Sequence, residues 1–522
     1  LLAILSIKQA ICSWVVMKNR LIILSPILSG ILLVASFPPF KLFLPSFVAL
    51  VPLLYFIDRE TSNLRAALGA LFCGLLFWGA LLYWITLFTR AGYLLLIFIM
   101  AMNQVIFALV ARRLKRTLGI PLIFSAPLLW TATEYIHAYG DIAFTWGQLA
   151  YTLTDYPLWL QMASFTGPYG VSLWLVAVNV MIYELLKRTA EHRNMVKPAA
   201  ALAVLIAAPI LFGIYRYSRH EQIAGEARQL NVSFIQPGIP QDIKWSPEMR
   251  DSTFKLLTNL SLAQADKEPA LVVWPEAAAP AHLRVDKKYR LYVGEIAREL
   301  DSFLLTGAPE YRYNERQGKY NSYNSAFLFS PQGRIIEYYD KIHLVPVSER
   351  MPWEHIFTFL QEIDIGGSHF IPGTRYAVFR MGEESFSTLI CFESIFPELS
   401  REFVKCGARF LVNITNDAWF ERTSAAYQHS SFLVLRTIEQ GRDIIRAANT
   451  GVSGYYDRLG RRRKATALFE TLSTTDRIQT YSETTFYCRH GDWPAHLAWI
   501  ASATLLLVSL LPRRLIKPSG NL

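Results

Sequence analysis

Charged side chains are scarce in this sequence: Asp, Glu, Lys and Arg make up 18% of its 522 residues, against roughly a quarter in an average soluble domain. A chain built only for water would hold more. The hydrophobic share of 52% points to a membrane part joined to an ordinary globular part. Cysteine is scarcer still, with Cys12, Cys73, Cys391, Cys406 and Cys488 as the whole set. No CxxC pair or His-rich cluster accompanies them, so the sequence offers no metal site, and their spacing makes no disulfide framework. Internal repeats and low-complexity segments are also missing. The net charge of +11 would suit a nucleic-acid binder if it covered one soluble face. Instead, Lys and Arg gather in short runs between apolar stretches, as a membrane orientation signal requires. Nucleic acid is therefore not an expected partner.

What is present begins with apolar runs that approach the roughly 20 residues needed to cross a hydrocarbon core. The candidate spans are 21–37, 42–57, 66–88, 92–111, 119–136, 168–186, 199–215 and 494–512. The second contains Pro45 and Pro52 and is expected to be kinked or partly buried among its neighbours. Residues 1–16 form another apolar run, interrupted by Lys8 and Gln9. Met17-Lys18-Asn19-Arg20 then reads as a start followed by basic residues and a span. A cleaved signal peptide is the competing reading, although no Ala-x-Ala site precedes Met17.

The basic residues alternate between loops. Lys18 and Arg20 precede the first span, and Arg59 and Arg65 follow the second. Arg112, Arg113, Lys115 and Arg116 follow the fourth; Lys187, Arg188, Arg193 and Lys197 follow the sixth; Arg513, Arg514 and Lys517 follow the last. The intervening loops carry Lys41 and Arg90, and the 137–167 loop has neither Lys nor Arg. The basic loops are expected in the cytoplasm. Both termini then lie inside and residues 216–493 outside. The expected organisation is a 1–20 cytoplasmic or mis-started segment, a 21–215 bundle of about seven spans, a 216–493 outer domain, a 494–512 span and a 513–522 tail.

Within 228–480 the pattern changes to short apolar runs and polar loops. Leu230–Gln236, Ala270–Trp274, Phe303–Ala308, Ser325–Ser330, Ser387–Ile390 and Arg409–Asn413 read as strands covered on both faces. Asp286–Glu299 and Ile395–Lys405 read as helices between them. This is an α/β domain of about 250 residues, a plausible size for one compact unit.

Three segments carry chemistry. Val272-Val273-Trp274-Pro275-Glu276 sets a carboxylate after a buried strand, where Pro275 keeps Trp274 extended. Tyr338 to Pro346 holds Lys341 in a largely nonpolar setting, and Leu389-Ile390-Cys391-Phe392-Glu393 ends a strand with a thiol beside a second acid. Each also has a plain reading, as a surface carboxylate, a snorkelling lysine or a buried inert thiol. Their chemistry nevertheless fits together. A carboxylate can take the thiol proton, and a lysine can steady the oxyanion that forms when the thiolate attacks a carbonyl.

The order Glu276, Lys341, Cys391, separated by 65 and 50 residues, resembles the nitrilase superfamily, which uses a Glu–Lys–Cys triad in that order. Within it the chain is similar to the apolipoprotein N-acyltransferases. The resemblance rests on Gln236-Pro237-Gly238-Ile239-Pro240-Gln241 with Lys244-Trp245, then Trp274-Pro275-Glu276, then Lys341 with Pro346 and Glu349. Cys391-Phe392-Glu393, Asn416 to Phe420 and Arg446 to Gly451 complete it. Spans before the α/β domain and one span after it fit the same family. The position after the cysteine is often tyrosine there, and Phe392 carries no hydroxyl for a polar role.

The resemblance implies a membrane α-helical bundle of about eight transmembrane helices joined to an α-β-β-α nitrilase-type sandwich. It implies a multi-pass protein of the bacterial inner membrane, acting as a monomer on the periplasmic side without a cofactor. An acyl chain would leave a phospholipid donor, form a thioester on Cys391 and pass to a diacylglyceryl apolipoprotein acceptor at its α-amino group. Glu276 would be the base, Lys341 the oxyanion partner, and Glu349 and Glu393 supporting residues. Trp245, Trp419, Phe420 and Trp146, in loop-like segments, are candidates for gripping acyl chains or inserting at headgroup level; ordinary packing is the alternative. His343 and His429 show no partner in the sequence. Two other functions stay open: a membrane-tethered amidohydrolase with the same triad, and a non-catalytic lipid-binding or transport protein. The spans hold few ionisable residues, Glu134 and Glu184 among them, where a translocation path usually shows more.

Overall fold

The computed structural model describes residues 22–512, apart from 41, 225–226, 317, 355 and 358–368. Cys12, Met17, Lys18, Arg20, Lys41 and the 513–522 tail lie outside the described residues.

The first part is helical: α1 (Ile22–Ala35), then α2 (Val51–Arg59), α3 (Asn63–Leu81), α4 (Arg90–Leu118) and α5 (Leu122–Ile136). A single turn, α6 (Pro157–Leu160), leads to α7 (Ala163–Ala190) and α8 (Val196–Ala224). Among the described residues, five helices are long and apolar enough to cross a membrane: α3, α4, α7, α8 and the C-terminal helix Trp493–Leu510. The other three candidate runs take shorter forms. The described part of α1 and the 15-residue α5 fall short of a full crossing, about 22 Å for the latter. The 42–57 run divides into a 3-10 turn, Leu44–Phe47, and the nine-residue α2. Pro45 and Pro52 sit in the opening turns of these two pieces, where a missing N–H costs nothing; inside one long helix each would break it. The 66–88 run also ends early: α3 stops at Leu81, and Tyr83–Leu87 forms a 3-10 turn.

Burial ranks the spanning helices. The most apolar window of α7 is 67% buried and that of α8 only 11%, so α7 is the centre of the bundle and α8 its flank. At Gly167 the backbone turns left-handed with φ 66°, kinking α7. A Cβ there would come within 2.2 Å of the Tyr487 ring.

Polar side chains fasten one end of the bundle. Asp58 of α2 pairs with Lys115 of α4 and with Lys187 of α7 at 3.0 Å, and accepts from Tyr183 at 2.7 Å. Arg112 donates to the Ile57 and Thr61 carbonyls, 3.1 Å each, and Arg113 to Ser509 Oγ at 2.8 Å. Basic residues from loops that the sequence assigns to one side therefore meet at one end.

The α/β domain lies at the other end. Its strands are β1 (Gln229–Gln236), β2 (Leu271–Val273), β3 (Phe303–Asn314), β4 (Lys319–Phe329), β5 (Ile335–Asp340) and β6 (Phe379–Met381). Then come β7 (Glu384–Ile390), β8 (Phe410–Thr415), β9 (Ile444–Ala448), β10 (Gly454–Tyr456), β11 (Arg462–Arg463) and β12 (Leu472–Gln479). One sheet has the order β12-β1-β2-β3-β4-β5 and the other β6-β7-β8-β9-β10-β11. In each, a parallel trio is flanked by one antiparallel strand on one side and two on the other. The topology is thus repeated although the sequence shows no repeat, because pairing geometry constrains burial pattern more than residue identity.

A one-turn helix, α9 (Gln241–Lys244), precedes α10 (Pro247–Leu262), which with α11 (Lys287–Glu299) covers the first sheet; α12 (Pro397–Lys405) and α13 (Ser424–Gln440) cover the second. Tyr455 of β10 donates to the Val232 carbonyl of β1 at 2.7 Å, stitching the sheets face to face. The layers are α-β-β-α. The short α14 (Phe486–His490) then leads into the spanning helix α15 (Trp493–Leu510). α13 lies between the second sheet and α7, with every residue except Tyr427 buried. Arg436 pairs with Glu439 within the helix at 2.8 Å and donates across that junction to Tyr151 at 3.2 Å.

Candidate active site

Glu276, Lys341 and Cys391 each follow a strand, β2, β5 and β7, and the face-to-face sheets bring these strand ends together. Glu276 is nearly enclosed. Its Oε1 accepts from Asn324 Nδ2 at 2.8 Å and lies 3.6 Å from Lys341 Nζ, while its Oε2 accepts from the Asn416 backbone at 2.8 Å. Lys341 Nζ donates to Glu349 at 2.9 Å. Asn324 also donates to Glu349 at 3.0 Å, and the Val345 N–H reaches Glu349 Oε2 at 2.8 Å. One amide thus holds two carboxylates, and both carboxylates hold one ammonium. Burial alone would push the Lys341 ammonium down, but Glu349 and Glu276 more than offset it and keep the group charged well above the usual lysine range.

Cys391 turns left-handed, φ 53°, between the end of β7 and a 3-10 turn, Cys391–Ile395. Such a conformation costs a non-glycine residue about 1 kcal/mol or more, and it turns the thiol out of the strand direction. Burial, reinforced by the Glu276 charge, pushes the thiol above its ordinary range; Lys341 pulls the other way without winning. These influences together favour the neutral thiol over the thiolate.

Glu393 has a different position. It is fully buried, and it accepts from Tyr339 OH and the Ile342 N–H at 2.7 Å each, His343 N–H at 3.1 Å and Ile390 N–H at 2.7 Å. It therefore clamps the loop after Lys341 to the strand before Cys391. Burial pushes its pKa up to about 7.

Four further groups complete the site, and residue type alone did not single them out. Lys244 is 2% exposed and donates to the Glu276 carbonyl at 3.2 Å; burial lowers its pKa to about 8. His429 places Nε2 3.1 Å from the Cys391 carbonyl and from Ser394 Oγ, and Nδ1 2.9 Å from Asp417. Arg446 donates to Asp417 at 2.7 Å. A Cβ on Gly451 would sit 2.1 Å from the Asp417 carboxylate, so only glycine lets that chain pass. Cys391, Asp417 and His429 bring donor atoms within 4.8 Å of one another. Arg446 already supplies the positive charge there, 3.1 Å from His429 Nδ1, so a metal cation would face a fixed guanidinium.

Two family models match. The apolipoprotein N-acyltransferase N-terminal domain covers residues 29–181, and carbon-nitrogen hydrolase covers 231–488. A Geobacter metallireducens protein named apolipoprotein N-acyltransferase is 35% identical over 94% of this chain and 95% of its own length. A Chlorobaculum tepidum protein of the same name is 30% identical over 94% and 96%. The chain belongs to the apolipoprotein N-acyltransferase family. Among solved structures, an amidase from Nesterenkonia sp. is similar at 17% identity, with 52% of this chain and 96% of that chain covered and a TM-score of 0.38.

Viewed as an N-acyltransferase, the molecule places its aromatic residues unequally. Trp245 and Trp419 are exposed, 47% and 53%. Phe420 packs on Trp84 with ring centres 5.0 Å apart, and Trp419 lies 6.3 Å from Phe88. The 417–420 turn thus rests on the 3-10 turn that follows α3. Trp146 is buried, stacks 5.7 Å from His429 and donates to Gln428 at 2.8 Å. It forms a floor under the Cys391 turn, not a surface grip. His343 stacks on Phe396 at 4.4 Å and lines a cleft of about 140 Å³ with Phe392, Arg350 and Asp141. This cleft opens between the 137–167 loop and the loop after Lys341, and Phe392, the residue after Cys391, is part of its wall.

Proposed function

We propose that the chain moves an acyl chain from a phospholipid to the α-amino group of the S-diacylglyceryl-cysteine of apolipoproteins, through a thioester on Cys391. The observation that carries this reading is the Cys391 thiol on a left-handed turn, in the field of Glu276 and Lys341, beside a membrane bundle. In the first half, Cys391 Sγ attacks the ester carbonyl and its proton goes to Glu276. Lys341 and a backbone N–H steady the oxyanion. The C–O bond breaks, the lysophospholipid oxygen takes the proton from Glu276, and the thioester remains. In the second half the amine attacks, Glu276 takes its proton, the C–S bond breaks and the proton returns to the sulfur. Glu349 keeps Lys341 charged and aimed, and Glu393 holds the two loops in register. Trp419, Trp245 and Phe420 would meet acyl chains or headgroups.

The basic-loop pattern supports a bacterial inner-membrane position with the 216–493 domain on the periplasmic side and about eight membrane segments. One chain supplies all these groups, so we take it to act as a monomer. Intact-mass analysis of the purified protein incubated with phospholipid tests the reading. One acyl adduct should appear on Cys391 and discharge onto a diacylglyceryl-cysteine peptide with a free N-terminus. The acetylated peptide should leave it intact. Fatty acid released equally fast with or without peptide would establish the amidohydrolase-like course instead.

A further inference from the structure

α8 runs along the flank of the bundle, yet two of its side chains near the domain end are withdrawn from the surroundings. His220 is 8% exposed, and its Nδ1 has no hydrogen-bond partner among the described residues. Nε and Nη2 of Arg216 are likewise buried and unpartnered. The two lie four residues apart and so share one helix face. Against that face stands the turn between β10 and β11. Arg461 of this turn places its guanidinium 5.6 Å from the centre of the Tyr217 ring, and Arg458 is 8% exposed. Arg216 and His220 both lie in the field of the Arg458 charge, His220 more strongly in that of Asp457, and the Arg458 guanidinium itself lies 4.1 Å over the Tyr481 ring. The nearby acid, Asp457, is already engaged: Arg461 Nε reaches it at 2.6 Å, and the Leu459 and Arg461 N–H groups at 3.0 and 2.9 Å.

Buried donors without acceptors are costly, and like charges held together add to that cost. One anion between them removes both penalties. Its depth identifies the source. Lys197 and Arg216 lie 19 positions apart, a rise of about 28 Å along a helix, the thickness of a hydrocarbon core. With Lys197 in one headgroup layer, Arg216 stands in the other. A guanidinium fork suits a phosphate oxygen pair. We propose that Arg216, His220 and Arg458 bind the phosphodiester of a membrane lipid in the headgroup layer on the domain side, a site that shares no residue with the Cys391 centre.

The test uses the full chain, purified and delipidated in detergent, with phosphatidylglycerol as the probe and native mass spectrometry as the readout. Wild type should retain one lipid, and Arg216→Gln should lose apparent affinity roughly tenfold or more, the weight of a charge-assisted hydrogen bond. Excess inorganic phosphate should not displace the lipid, because its acyl chains stay among the helices. Thermal unfolding separates binding from structure. The lipid-free Arg216→Gln protein should be at least as stable as lipid-free wild type, and only wild type should gain stability from the lipid. Equal retention by both proteins, or displacement by inorganic phosphate, would overturn the assignment. Neither readout depends on acyl transfer, so failure here leaves the thioester reading untouched.

Discussion

At Cys391 two neighbours act on the thiol in opposite senses, Glu276 raising its pKa and Lys341 lowering it, on top of a large effect of burial. Because the net shift is upward, the neutral thiol prevails at pH 7 and thiolate grows only as pH climbs past the ordinary thiol range. Alkylation of Cys391 by iodoacetamide should therefore keep accelerating beyond pH 9 with no plateau near neutrality, and Lys341→Met, which removes the favourable cation, should slow it further. A plateau at pH 7 would mean a preformed thiolate and a different role for Glu276. Acylation follows the same logic: Cys391→Ala should give no adduct, and Glu276→Gln and Lys341→Ala should each slow its formation roughly a hundredfold or more, measured by intact mass over time. Lys341→Ala with wild-type acylation would remove the oxyanion assignment. Glu276, Lys341 and Cys391 were legible in the sequence as polar residues beside apolar runs, and Glu393 as the acid beside the thiol, whereas Glu349 was pointed to only by the family resemblance. Asn324 was not, because an amide inside a strand announces nothing until β4 and the Lys341 loop place it between two acids. His429 was passed over for a similar reason: its partners Asp417 and Arg446 are 12 and 17 residues away in the chain.

Elements that bury one kind of surface were read from the chain; elements at junctions were not. The expected strands lie where β1, β2, β3, β4, β7 and β8 are found, since continuous apolar runs mark strands covered on both faces. α13 escaped notice because its buried surface is shared between a sheet and α7 and carries Gln428, His429, Arg436 and Glu439. A periodicity rule looks for one apolar stripe and finds none there. The 3-10 turn after α3 was read as more helix for the converse reason: Trp84 and its neighbours are apolar but pack sideways on Phe420. Glu393 joins two such junction elements with four donors on one carboxylate. In Glu393→Gln an NH2 group replaces one acceptor oxygen and faces backbone N–H groups, which should lower stability by about 1–3 kcal/mol. Tyr339→Phe removes one donor and should cost about 1 kcal/mol. Chemical unfolding checks both, and an unaltered Glu393→Gln protein would show that the clamp does not hold the loops.

Across the whole molecule, the bundle separates its charges by end. The acids and bases around Asp58, Lys115 and Lys187 cluster at one end, and the α/β domain with Cys391 occupies the other. α8 is the helix that tests this separation, because its flank position leaves both ends accessible. Its 29 residues span about 43 Å, enough for the hydrocarbon core and both headgroup layers. Asn194, just before it, and Glu221, near its far end, are both exposed. In a protein with Cys12→Ser, Cys391→Ser and Cys406→Ser, Cys73 and Cys488 remain buried, so a cysteine added at either position reports alone. A membrane-impermeant maleimide applied to intact spheroplasts should label Glu221→Cys and leave Asn194→Cys unlabelled until the membrane is opened. The sign follows from Lys187, Arg188, Arg193 and Lys197 around Asn194, which favour the cytoplasmic side. The reverse labelling would put the thiol in the cytoplasm. Labelling of both from outside would mean that α8 does not cross at all, and the depth argument for a lipid phosphate at Arg216 would fall with it.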